Sequence, residues 1–284
     1  MVFEMVKQIK DWRVPIAQTF LPLLVIPLVL FFDVTRKITN FLEKANIDVK
    51  DFGIEWQIAS SLGNGAVIVT ILFFIYAAIR KHNSKKILKQ NLDACVWHSY
   101  AGYWFCRRVL NYQTVSLIRV PIPMQFKLVW KELFEEYKYK EMEDVREKTE
   151  PDKISVEIFQ ADPFTSTVNL ILTDTYPFDD WKSKIPISTA SCTTIVIDRS
   201  QNCIRRYFSS EYIEKIAMAV HTLPITVTDI NIFATINTAH LYCIVKEVFK
   251  TGARDRIKRI KVYQQTQGIW TFEGEKYVEI RVGE

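Results

Sequence analysis

The chain has 284 residues, 49% of them hydrophobic, with 37 basic and 32 acidic side chains and a formal net charge of +5. That is room for one ordinary domain and a membrane part, and a mean hydropathy of +0.01 means that any apolar excess is local. Five scattered cysteines, an odd number with no C-x-x-C pair, argue against a disulfide framework and a zinc site, as do only four histidines.

Two charge-free apolar runs come first, VPIAQTFLPLLVIPLVLFF (14–32) and IASSLGNGAVIVTILFFIYAAI (58–79). Each is about long enough to cross a hydrocarbon core of roughly 30 Å as a helix. The pair reads as a transmembrane hairpin over residues 1–82. No small-residue cleavage site follows the first run, so it reads as a retained helix rather than a signal peptide. Residues 80–90 carry Arg80, Lys81, Lys85, Lys86 and Lys89 with no acid, whereas 33–57 carry four basic and five acidic residues. The basic flank predicts that the N-terminus and everything after the second run face the cytoplasm. Pro22 and Pro27 predict a kinked first helix. Ser60, Ser61, Gly63, Gly65 and Ala66 give the second a small-residue face that lets helix backbones approach closely. With no charge inside either run, a proton path or transport site is not expected.

Residues 83–152 read as a helical connector. Helical spacing of Ile87, Leu92, Val96, Tyr100, Tyr103 and Trp104 covers 83–112, a short edge strand covers 116–123, and a second helix covers 124–148. From Lys153 the pattern changes to strands at 153–159, 167–173, 193–200, 228–236, 256–265 and 276–282, alternating with helices at 209–223 and 237–252. Ser209 or Ser210 caps the first helix; Asn237 or Thr238 opens the second and Gly252 stops it. Strands alternating with helices predict an α/β domain over 153–284 with a mainly parallel, Rossmann-like sheet.

No G-x-S-x-G, H-E-x-x-H, P-loop or G-x-G-x-x-G is present, so the chain does not read as an enzyme and no cofactor is expected. Asp174, Asp179 and Asp180 form an acidic turn, more often solvated than metal-binding. His221 and His240 read as surface or hydrogen-bonded residues. Ligands of open α/β sheets bind beyond the carboxyl ends of the strands. Two junctions qualify, Leu172-Thr173-Asp174-Thr175-Tyr176 and Phe233-Ala234-Thr235-Ile236-Asn237-Thr238. The second sets hydroxyls and an amide at a helix N-terminus, which favours an anion such as a phosphate.

The run DINIFATINTAHLYCIVKEVF, followed by IKRIKVYQQ and KYVEIRV, resembles the C-terminal half of a SAVED domain, a relative of CARF domains, over about Val168 to Val282. Two features depart from the pattern: Asn237-Thr238 replaces the usual proline, and the helix is bulkier, with His240, Leu241, Tyr242 and Lys246. The resemblance implies recognition of a cyclic di- or trinucleotide by a CBASS-type antiphage membrane effector. It places Thr173, Thr175, Thr235, Asn237 and Thr238 at the ligand, where the ring of Tyr176, by its position after the first junction, is a candidate to stack on a base. Arg199 and Arg205, with Lys182, Lys184 and Arg206, are candidate phosphate partners by charge alone. The same resemblance implies a homo-oligomer acting on the lipid bilayer, with no duplex nucleic acid as partner. A CRISPR-linked effector, a membrane-anchored scaffold and a membrane-bound nucleotide-processing enzyme remain as alternatives.

Overall fold

In the computed structural model, the described residues are 10–32, 64–90, 96–139, 153–160, 164–174, 180–199, 208–252, 256–266 and 271–282, with a few isolated positions between them. The chain divides into two compact units: Met1–Asn91 with Ala101–Thr114, and Leu92–Tyr100 with Val115–Glu284.

The first unit is built on α1 (Arg13–Phe32) and α2 (Asn64–Asn83). Helix α1 is α-helical to Phe20, tightens to a 3-10 turn over Leu21–Leu24 and resumes at Val25. The tight turn contains Pro22 and lies one turn before Pro27, whose ring would crowd the carbonyl of Leu23. Among the described residues, α1 is the one helix long and apolar enough to cross a membrane, with a mean hydropathy of 2.2. Residues 58–63 of the second expected span lie outside the described residues. Helix α2 runs past Ile79 to Asn83, and Arg80, Lys81 and His82 in its last turn suit the negative end of the helix dipole.

The two helices pack antiparallel. Gln18 and Asn83 exchange side-chain amide hydrogen bonds, both 2.9 Å, and the Tyr76 hydroxyl donates to the Thr19 carbonyl at 2.8 Å. Asn83 also donates to the Leu110 carbonyl, and the Tyr112 hydroxyl to Gln18. Helix α3 (Tyr100–Arg108) follows; Arg80 caps its end by donating to the carbonyls of Arg108 and Val109. Asn83 is fully buried, so stripping its partner leaves a stranded amide. Gln18→Leu is expected to destabilise this unit by about 1–3 kcal/mol. In thermal unfolding of the detergent-solubilised chain, Gln18→Leu with Asn83→Leu should cost less than the two single changes added together.

The second unit opens with β1 (Thr114–Ser116), α4 (Ile122–Trp130) and β2 (Glu136–Lys138). The helix expected over 124–148 thus ends at Trp130, and residues 140–148 lie outside the described residues. Glu132 takes a left-handed backbone (φ 47°), and the chain turns into β2. Lys246 and Lys250 bind the Glu132 carboxylate and hold its pKa down at about 2. The apolar residues that continued the helical spacing are buried by the turn and strand: Leu133, Phe134 and Tyr137. Of the expected helix over 83–112, Tyr100–Arg108 is helical as α3 and Asn83 ends α2, Ile87–Leu88 is extended, and residues 91–95 lie outside the described residues.

Six strands form the main sheet: β3 (Ser155–Phe159), β4 (Thr167–Thr173), β5 (Thr193–Asp198), β6 (Asp229–Thr235), β7 (Arg259–Gln265) and β8 (Phe272–Arg281). Their order is β3-β5-β4-β6-β7-β8. The four middle strands are parallel and the two outer ones antiparallel to their neighbours. The mainly parallel α/β sheet expected from the sequence is therefore present. Strands β4 and β6 are buried along nearly their whole length, as strands covered on both faces must be. One face packs Ile171, Phe233 and Tyr263 against Trp181, Ile185 and Phe272. Beside the other run α6 (Ser210–His221) and α7, which begins at Thr238–Cys243 and continues as a π-helix over Ile244–Phe249. A four-residue helix, α5 (Trp181–Lys184), lies between β4 and β5.

Candidate functional site

The strand order marks the candidate site. From β4 the chain moves to β5 on one side; from β5 it crosses back over β4 to β6 on the other, then on to β7. The connections leaving β4 and β6 therefore diverge, and their carboxyl ends flank the sheet's switch point, where a crevice opens in folds of this kind. Thr173 pairs with Thr235 across β4 and β6, and with Asp198 across β4 and β5. Three polar side chains thus end three adjacent parallel strands.

Just beyond them lies a buried polar cluster centred on Asp174. One carboxylate oxygen accepts from Arg199 Nη1 at 2.5 Å. The other accepts from His240 Nδ1 at 2.7 Å, Asn237 Nδ2 at 2.7 Å and the Asn237 backbone N–H at 3.2 Å. Asp174, Arg199 and His240 are 3%, 1% and 0% exposed. Moving a carboxylate and a guanidinium out of water costs several kcal/mol per ion, offset only by close pairing and full hydrogen bonding. Burial opposes ionisation of Asp174, but donation from His240, the Arg199 charge and the Asn237 N–H outweigh it. Its pKa falls below the ordinary carboxylate value.

The tautomer of His240 follows from its partners. Its Nε2 accepts the Ser209 backbone N–H at 2.8 Å, and an amide N–H only donates. Nε2 is therefore unprotonated and the ring proton sits on Nδ1, donated to Asp174. Asn237 caps α7: its Oδ1 accepts the His240 backbone N–H at 2.9 Å. Ser209 caps α6 by accepting the Tyr212 N–H. An Asp–His–Ser trio is thus present, but it is not arranged as a nucleophilic triad. His240 meets the backbone of Ser209, not its hydroxyl, and Asp174 is neutralised by Arg199. The cluster fixes the amino ends of α6 and α7 against the carboxyl ends of β4 and β5.

The expected site residues fall into three groups. Thr173, Thr235, Asn237, Thr238 and Arg199 converge on the strand ends around the switch point. Their side chains are largely committed inside the protein: Thr173 donates to Asp198, Arg199 binds Asp174, and Asn237 is engaged at both its oxygen and its nitrogen. Asn237 and Thr238, at the start of α7, are half-buried, whereas the other three are buried. Thr175, Tyr176 and Arg205 lie outside the described residues. Lys182 and Lys184 sit on α5; Lys182 lies over the rings of Phe159 and Trp181. The sequence reading missed that Asp174 and His240 are partners. The one local signal was the spacing of His240 three residues after the capping Asn237, which sets both on one side of the helix start.

Comparison with known proteins adds to this geometry. Residues 4–278 match the family model described as the SMODS- and Ubiquitin system-associated 2TM effector domain, SUa-2TM. The chain belongs to this family. The match spans both units, so the helix pair and the α/β sheet are parts of one SUa-2TM architecture. The family description, with the apolar helix α1, supports association with a membrane.

Two solved structures of the Acinetobacter baumannii Cap4 SAVED/CARF-domain containing receptor, with the cyclic trinucleotides 3'3'3'-cAAA and 2'3'3'-cAAA, are similar to the chain at 7% identity. Their TM-scores are 0.45 and 0.43, and each alignment covers 75% of this chain. The chain spans 55% of the receptor's length in both. A search of curated proteins gives no match.

Proposed function

We propose that this SUa-2TM protein is an antiphage membrane effector whose α/β unit binds a cyclic di- or trinucleotide second messenger beyond the ends of β4 and β6. Binding favours assembly of several copies, and assembly gathers the helix pairs and disrupts the inner membrane. The observation that carries the reading is the sheet's switch point, with the amino end of α7 beside it and Asn237 capping that helix. Helix starts of this kind favour anions, and the family description as a two-transmembrane effector supports a membrane output. A ligand shifts assembly only by its differential affinity for the assembled state.

In this arrangement Asp174, His240, Asn237 and Arg199 shape the floor of the site, while Thr238 and the free N–H groups of the first turn of α7 meet the phosphate. The protein works as a sensor and effector rather than as a catalyst, with its N-terminus and α/β unit in the cytoplasm. The test is thermal unfolding of the full chain in detergent with a panel of cyclic di- and trinucleotides. A true ligand at 100 times its Kd should stabilise the α/β unit by about 2.7 kcal/mol. Thr238→Glu should preserve the unliganded transition, because an acid suits a helix start, and abolish the ligand shift by repelling phosphate. A shift that survives Thr238→Glu places the ligand elsewhere, and no shift with any member defeats the reading.

A further inference from the structure

The main sheet ends on β3, which pairs with β5 on one side and, among the described residues, with no strand on the other. An open edge is a row of backbone donors and acceptors, and proteins ordinarily blunt one with lysine, proline, a bulge or a covering element. Strand β3 is poorly protected: Ser155, Val156, Glu157 and Ile158 are all exposed, Ile158 at 62%. Val156 and Ile158 stand opposite Ile197 and Ile195, both buried. The apolar face of the sheet therefore runs out to its edge uncovered.

We propose that β3 pairs with β3 of a second copy, antiparallel about a two-fold axis through Val156, to make one continuous sheet across two protomers. The occupant follows from the self-complementarity of the strand. A two-fold axis normal to the sheet keeps every side chain on its own face, so a residue must lie on the axis. With Val156 there, Val156 meets its own copy and Ile154 meets the partner's Ile158, twice, so the exposed apolar face becomes an unbroken ladder. On the other face Ser155 meets the partner's Glu157, and each Glu157 lies diagonal to the partner's Glu157 and to its Lys153, whose long side chain is within reach and offsets the like charge. Moving the axis to Ser155 leaves Ile158 with no opposite residue among the described ones. Moving it to Glu157 sets two carboxylates face to face, which is destabilising. An isologous contact of this type closes at two copies. It needs no nucleotide, so its failure would leave the proposed function standing.

The test uses the full chain in detergent without nucleotide. Val156→Cys, mildly oxidised, is expected to give a disulfide-linked dimer several-fold above the unsubstituted chain, whose five native cysteines set the baseline. Ser155→Cys is expected to stay near that baseline, because its own copy lies diagonal, beyond the usual reach of about 7 Å for bridged Cα atoms. Ile158→Lys, a change at an exposed side chain, should weaken the dimer roughly tenfold in a dilution series followed by sedimentation. No gain at Val156→Cys, equal cross-linking at Ser155→Cys or an unchanged dimer in Ile158→Lys would each overturn the pairing. So would a chain that is monomeric at every concentration, which would leave the edge to a strand of another protein.

Discussion

Asp174→Ala is expected to destabilise the α/β unit by about 3–5 kcal/mol, the usual cost of leaving a buried charge without its partner. The change removes the acceptor for Arg199, His240 and Asn237 together. For a unit of this size that is a fall in midpoint of about 6–20 °C. Cavity formation cannot account for all of it, and the double change Asp174→Leu with Arg199→Met separates the causes. If stranded charge dominates, the double variant is more stable than Asp174→Ala; if lost packing dominates, it is no better. The pH dependence follows from the same geometry. The folded carboxyl titrates below its unfolded value of about 3.9, so its stabilisation is complete above that value. It is lost as pH falls through the folded pKa. Asp174→Asn should flatten this acid limb of the stability profile while keeping most of the shape of the site. A limb unchanged by Asp174→Asn would mean that other carboxylates govern acid unfolding.

Leu24→Arg is expected to give the second large effect, on the membrane rather than on the fold. Leu24 is exposed near the middle of α1, in the 3-10 turn. An arginine at the centre of a spanning helix costs about 2.5–3.5 kcal/mol on insertion scales, a shift of roughly 100-fold in the insertion equilibrium. In carbonate extraction of cell membranes, Leu24→Arg should move a substantial fraction of the protein out of the pellet, while Leu24→Ile stays with the wild type. Retention of Leu24→Arg in full would show that α1 does not span the bilayer.

The two outcomes concern the parts of the protein that its sequence exposes to different degrees. The strand TVNLILT coincides with β4 residue for residue, and Asn237 and Ser209 cap the helices they were expected to open. Those features are local: β-branched runs and polar caps act over a few residues. The helix expected over 124–148 stopped at Trp130 because spacing alone does not show where the backbone reverses. Leu133, Phe134 and Tyr137 keep a helical rhythm, yet they are buried from a turn held by the pairing of Glu132 with Lys246, 114 residues away. The strand-end junctions of the candidate site were legible as places in the fold, and the contacts that join them were not. The junctions after β4 and β6 were identifiable from strand-end logic. The bond from His240 to Asp174 joins positions 66 residues apart, and no periodicity signals a contact at that range. Arg199, expected as one of several candidate phosphate partners, proved fully buried for the same reason.

The same 66-residue interval sets an order of events during synthesis. At about 5–20 residues per second, His240 leaves the ribosome roughly 3–13 seconds after Asp174. Until then the amino end of α7 does not exist, and Asp174 lacks two of the groups that make its burial tolerable. Strand β6, which completes the switch point, arrives in the same window. The helices α1 and α2 have been translated long before. A nascent chain therefore carries its apolar helices for several seconds with no finished α/β sheet attached, and the helices must pack against each other unaided.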